Sequence, residues 1–208
     1  MTAALPAQSA TMHAQRAELT QVPFFPQQEY QCGPAALAMA LAADGAAVTA
    51  DALVPQVYLP AREGSLQAEM LATARRHGRL AVVLPPRLDA VLAEVSAGRP
   101  VVVLQNLSLP IAPRWHYAVV VGFDLAQGNL VLRSGSTFRQ VLPLAVFERT
   151  WARSGHWAMV AGAPGALPAS PDDASLLAAS AALERVDPRA AASAYVALAA
   201  RDPGLYGA

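Results

Sequence analysis

Gln27-Gln28-Glu29-Tyr30-Gln31-Cys32-Gly33-Pro34, running into Ala35-Ala36-Leu37-Ala38-Met39-Ala40-Leu41-Ala42, is the stretch on which the fold turns. Cys32 is the only cysteine among 208 residues, and it stands where a helix begins. Pro34 suits a first helical turn, where its missing N–H has no partner to lose, and the alanines, leucines and methionine carry the helix on. Two readings of such a thiol compete. Free cysteines are most often small buried core residues. At a helix start, however, unpaired N–H groups and the helix dipole favour the thiolate, which is the nucleophilic form.

Working outward, Val22-Pro23-Phe24-Phe25-Pro26 is an extended, proline-bracketed entry to that helix. After it, Asp44-Gly45 marks a turn, and Thr49 with Asp51 predicts a short helix ending before Pro55. Ser65 is the expected N-cap of a clearer helix, with Leu66, Met70, Leu71 and Ala74 on one face and His77-Gly78 as its stop. Leu80 to Leu84 is a buried-strand pattern, and Leu88, Val91, Leu92 and Val95 lie at helical spacing. Strands are then expected over 101–104, 117–123, 129–132, 137–142 and 157–161, with a short helix over 144–151. Helices first and antiparallel strands later predict an α+β domain.

The proline-rich stretch from Pro164 to Pro171 reads as a linker to two alanine-rich helices, 173–186 and 188–201. In the second, Ala191, Tyr195, Leu198 and Pro203 fall at the spacing of the closing half of a tetratricopeptide repeat. The first helix lacks that repeat's aromatic and glycine marks, so a plain hairpin packed on the main domain stands equally beside it. The expected organisation is a flexible leader over 1–20, a main domain over 21–163, a linker over 164–172 and a helical hairpin over 173–208.

Composition narrows the function. The chain is 54% hydrophobic and 14% charged, which suits a packed core. All 15 basic residues are arginines and the net charge is zero, with no basic stretch for nucleic acid. No run reaches the roughly 20 apolar residues of a membrane span. The first 20 residues lack the cationic start and apolar stretch of a signal peptide. A single cysteine forms no internal disulfide and no cysteine-cluster metal site.

A cysteine nucleophile needs a base within reach and donors for an oxyanion. Of the four histidines, His13 lies in the leader and His77 at a helix end. His156, before Trp157, is expected to cap its strand structurally. His116 opens the apolar strand Tyr117-Ala118-Val119-Val120-Val121-Gly122-Phe123, where a sheet presents a polar ring at its mouth. Asp124 is a poor partner for it, since eight residues of strand at about 3.3 Å each separate them. A turn near Ala126 and Gln127 brings Ser134 to Thr137 back past His116. Asn106, ending the preceding strand, offers a second route, and an amide is able to orient an imidazole.

Gln-x-x-x-x-Cys-Gly-Pro with its small-residue helix, followed by His-Tyr-x-Val-Val-x-Gly-Phe, resembles the bacteriocin-processing, double-glycine peptidases of the papain-like class. The resemblance runs from about Val22 to Ala161. It implies a papain-like α+β fold and a cysteine peptidase, with Cys32 as nucleophile, His116 as base and Gln27 in the oxyanion hole. Gln27 lies five residues before the cysteine where six is more usual, so Gln28 remains a second choice. The aspartate that orients the histidine in that family has no counterpart in Val131 to Ser136. Asn106 and Ser134 are the alternatives for that role. The resemblance further implies a bacterial protein, a Cys–His thiolate pair, no cofactor or metal, and a peptide or protein substrate with small residues before the scissile bond, possibly one processed for export. The C-terminal helices are expected to engage a partner protein. The compartment would be periplasmic if a signal was removed and cytoplasmic otherwise. A non-catalytic peptide-binding domain, and a related amidase or acyltransferase, are the competing expectations.

Overall fold

The structure is a computed structural model that describes residues 14–27 and 31–202. Its elements in chain order are β1 (Arg16–Glu18), α1 (Cys32–Ala43), α2 (Ala50–Val57), β2 (Tyr58–Leu59), β3 (Gly64–Ser65), α3 (Gln67–Arg76), β4 (Leu80–Val83), α4 (Leu88–Ser96), β5 (Val101–Asn106), β6 (Trp115–Asp124), β7 (Asn129–Ser134), β8 (Thr137–Pro143), α5 (Leu144–Ala152), β9 (Ala158–Gly162), α6 (Asp173–Glu184) and α7 (Pro188–Arg201). The arrangement is α+β.

An antiparallel sheet in the order β4-β9-β5-β6-β7-β8 forms the centre. β1 adds to it beside the far end of β6, pairing Arg16 with Asp124 and Glu18 with Gly122 where β5 has already ended. The last part of the expected flexible leader is therefore a strand, because β6 is longer than β5 and leaves backbone groups to be paired. Gly122 permits this approach: a Cβ there would lie 2.7 Å from the Ala17 carbonyl oxygen.

α1 is apolar on every side, and a helix of that kind belongs inside. Gly33 to Leu41 is buried without interruption, between the sheet and α2 and α3. The strands alternate across the sheet. Tyr117, Val119 and Val121 face α1, while Ala118 and Val120 face α4 and α5, where Phe147 and Trp151 fill the second core.

Two expectations are corrected. α2 runs through Pro55 to Val57, because burial of Leu53 and Val57 outweighs the one backbone bond the proline forgoes. Ser65 does not cap α3. It pairs with Tyr58 in the small β2–β3 hairpin, and α3 starts after Leu66 without a side-chain cap. The α6–α7 hairpin packs Leu176, Leu183, Ala194 and Leu198 on Leu80 and Val82 of β4. Its connection to the sheet is pinned as well. Ser170 donates from both its N–H and its hydroxyl to buried Glu94, and Arg99 donates to the Leu167 carbonyl.

Candidate active site

Cys32 is the first residue of α1, so its own N–H and that of Gly33 have no partner within the helix. The backbone N–H of Tyr117 on β6, and after it those of Gly33 and Cys32, favour the thiolate. Burial nevertheless dominates and pushes the thiol's pKa up, against the pull of those N–H groups. The helix start was expected to lower it. The helix start does act in that direction, but at a site so enclosed that desolvation outweighs it.

Close packing fixes the sulfur's position. A Cβ on Gly33 would stand 2.5 Å from the Ser65 Cβ and closer still to its hydroxyl. β3 is thus laid directly against the first turn of α1, and only glycine admits it. The Tyr117 hydroxyl donates to the Ser65 carbonyl at 3.2 Å, tying β3 to β6 across the thiol. The Ser65 hydroxyl is buried with no partner among the described residues.

His116 enters from β6, one residue before Tyr117. Its Nε2 lies 2.9 Å from Ser134 Oγ on β7. With Nε2 engaged, Nδ1 is the nitrogen left for proton transfer. Burial, and after it the charge of Arg114, pushes the imidazole's pKa down to about 4. Burial thus favours the neutral form of each of the two groups. Among the described residues no carboxylate bonds this ring.

Gln27 is held at three points. Its N–H donates to the Gly135 carbonyl at 3.0 Å, its Oε1 accepts from the Gly135 N–H at 3.0 Å, and its Nε2 donates to the Tyr117 carbonyl at 3.1 Å. One N–H of the amide has no partner among the described residues. Gln28 lies outside the described residues, as does His13.

Asn106 is placed elsewhere. In the β5–β6 register it is opposite Trp115, whereas Gln105 is opposite His116. Its Oδ1 accepts from the N–H groups of Ser108 (3.0 Å) and Arg114 (2.9 Å), closing the loop between the two strands. His156 bonds Glu148 at 2.6 Å and meets the Trp151 ring edge-on, a packing position.

Cys32, His116 and Gln27 line one cleft of about 1000 Å³. Its walls are the Arg62–Gln67 segment around β3 on one side, and Arg114, Trp115, Arg153 and Ser154 on the other. The sequence carried little sign of either wall. Glu63-Gly64-Ser65 imitates a helix start, and the backbone of Tyr117, which serves both Cys32 and Gln27, has no side-chain signature.

A helix that starts at a cysteine, packed on an antiparallel sheet with a histidine at the head of a central strand, is the architecture of the papain-like cysteine peptidases. The model of the Peptidase_C39 like family matches residues 19–159, and the chain belongs to that family. Its fold is similar to the crystal structure of a protein assigned as a C39-like peptidase from Bacillus anthracis, at 19% identity and TM-score 0.60, over 75% of this chain and 99% of that one. It is also similar to a double glycine motif protease from an AMS/PCAT transporter, solved in complex with the leader peptide, at 20% identity and TM-score 0.53, over 68% and 91% of the two chains. No curated protein matches the chain.

Proposed function

We propose that the protein is a cysteine peptidase in which Cys32 attacks a peptide carbonyl and His116 Nδ1 takes the thiol proton, later giving it to the leaving amine. The observation that carries this reading is the shared cleft. It holds the Cys32 thiol at the first turn of α1, the Gln27 amide, and an imidazole whose Nε2 is engaged by Ser134. With burial favouring the neutral form of both groups, thiolate forms as the substrate binds and as the oxyanion meets its donors. Those donors are the Cys32 N–H and the remaining N–H of the Gln27 amide. Ser134 takes the place of the family's aspartate. A peptide substrate is in keeping with the leader peptide bound by the related transporter protease.

Cleavage of a mixed synthetic peptide library, mapped by mass spectrometry, tests the reading. Wild-type protein should cleave, while Cys32→Ala should not cleave at all and His116→Ala should lose nearly all turnover with the fold intact. Gln27→Ala should cost about 100-fold, the usual worth of one oxyanion donor. Loss within about twofold would remove Gln27 from that role.

A second reading, a non-catalytic peptide-binding domain, is favoured by one observation: among the described residues no carboxylate bonds His116. It predicts that Cys32→Ala binds peptide as well as wild type, and that wild type cleaves nothing.

A further inference from the structure

The cleft is charged in a way that the neutral chain as a whole is not. Among the described residues three arginines line it, Arg62, Arg114 and Arg153, against the one carboxylate of Glu63. Among the described residues none of the three has a carboxylate partner, whereas Arg16, Arg79, Arg99, Arg139 and Arg201 all do.

Two of these arginines are held in place. Arg153 donates from one terminal nitrogen to the carbonyls of Asn106 (3.2 Å) and Ser108 (2.7 Å), which orient its guanidinium without cancelling the charge. Arg114 is anchored by its backbone. Its N–H donates to Asn106 Oδ1 at 2.9 Å, and its carbonyl accepts from the Leu107 N–H at 2.9 Å. Trp115, next to Arg114 in the chain, is 51% exposed and adds an apolar face to the same cleft. Like charges lining one cleft repel each other, and they favour a ligand of opposite sign.

We infer that the cleft selects peptides with acidic side chains near the scissile bond, with Arg114 and Arg153 as the residues that recognise the carboxylates and Trp115 as the seat of a neighbouring apolar side chain. This rests on the peptidase reading for the position of the scissile bond, but not for the preference itself. A carboxylate-bearing segment lying between Arg114 and Arg153 gains charge-assisted hydrogen bonds, and its glutamine counterpart loses the ionic part of each.

The test uses Cys32→Ala protein of full length, so that binding is read without turnover. Two fluorescein-labelled decapeptides are compared by anisotropy, one alternating Glu and Leu before a Gly-Gly pair, the other with every Glu replaced by Gln. The acidic peptide should bind about tenfold tighter at low salt. That margin should shrink at about 0.5 M salt, where screening is short-ranged. Adding Arg114→Glu should abolish it, and Arg114→Lys should keep part of it if the fold is intact. Equal affinities, no binding of either peptide, or a preference untouched by Arg114→Glu would overturn the inference. Acidic preference in a protein whose Cys32 form cleaves nothing would instead remove the peptidase reading and leave this one standing.

Discussion

At the scale of single residues, the decisive fact is that Ser134 stands where a carboxylate would be expected. A carboxylate only accepts, so it forces the proton onto Nε2 and stabilises the imidazolium. A hydroxyl either donates or accepts, and carries no charge. Burial, and after it the charge of Arg114, pushes the His116 pKa down to about 4, and among the described residues no carboxylate bonds the ring. Ser134→Asp should therefore raise the acid limb of the kcat/KM profile from near pH 4 toward or above the ordinary histidine value of about 6.5. It should also speed alkylation of Cys32 by iodoacetamide at neutral pH. An unmoved acid limb would sever Ser134 from the base.

The same group leaves a mark on stability. His116 is neutral in the folded protein down to about pH 4, while the unfolded chain takes up that proton near 6.5. The unfolded state thus binds more protons between those values. The group's contribution is complete above about pH 6.5 and is lost as pH falls toward 4, by roughly 3 kcal/mol at 1.36 kcal/mol per unit. Urea unfolding across this range should show wild type losing more stability than His116→Ala. Parallel losses would contradict the assigned burial.

At the scale of elements, the site depends on how near β3 comes to α1. Gly33 has no Cβ because Ser65 occupies the space one would need. Gly33→Ala must push the β2–β3 hairpin away, a strain of about 1–3 kcal/mol. It should also cost activity well beyond that of a plain stability mutant, since the cleft wall and the Ser65–Tyr117 tie move with it. A fall in Tm without a fall in kcat/KM would show that this wall is only scaffolding. The loop from Leu107 to Arg114 illustrates the opposite case. Asn106 is buried and holds two N–H groups of the loop through its side chain, not the His116 ring.

At the scale of the whole molecule, the C-terminal hairpin is docked through shared core residues. Leu183 is fully buried, in the cluster that includes Leu80 and Val82 of β4. Leu183→Ala should cost about 2–5 kcal/mol in one cooperative transition, as a core leucine does. A separate, lower transition, with the main one unchanged, would make the hairpin an independent unit. Pinning by Glu94, Arg99 and Arg201 gives the expected linker little freedom to act as a hinge.

What the sequence by itself determined lies where local chemistry is strong. Cys32 before Gly33-Pro34 and an all-apolar helix, and His116 at the head of a β-branched strand, marked the two central residues and the α+β class. Helical and strand periodicities also placed most elements within a few residues. Tertiary structure alone decided the rest, because each item depends on residues far apart in the chain. The His116–Ser134 bond followed from strand register, the upward push on the Cys32 pKa from burial, the β3 wall from the gap left by Gly33, and the cationic cleft from three arginines separated by up to 91 positions. Desolvation and register are sums over neighbours, and a sequence read along its length does not show who those neighbours are.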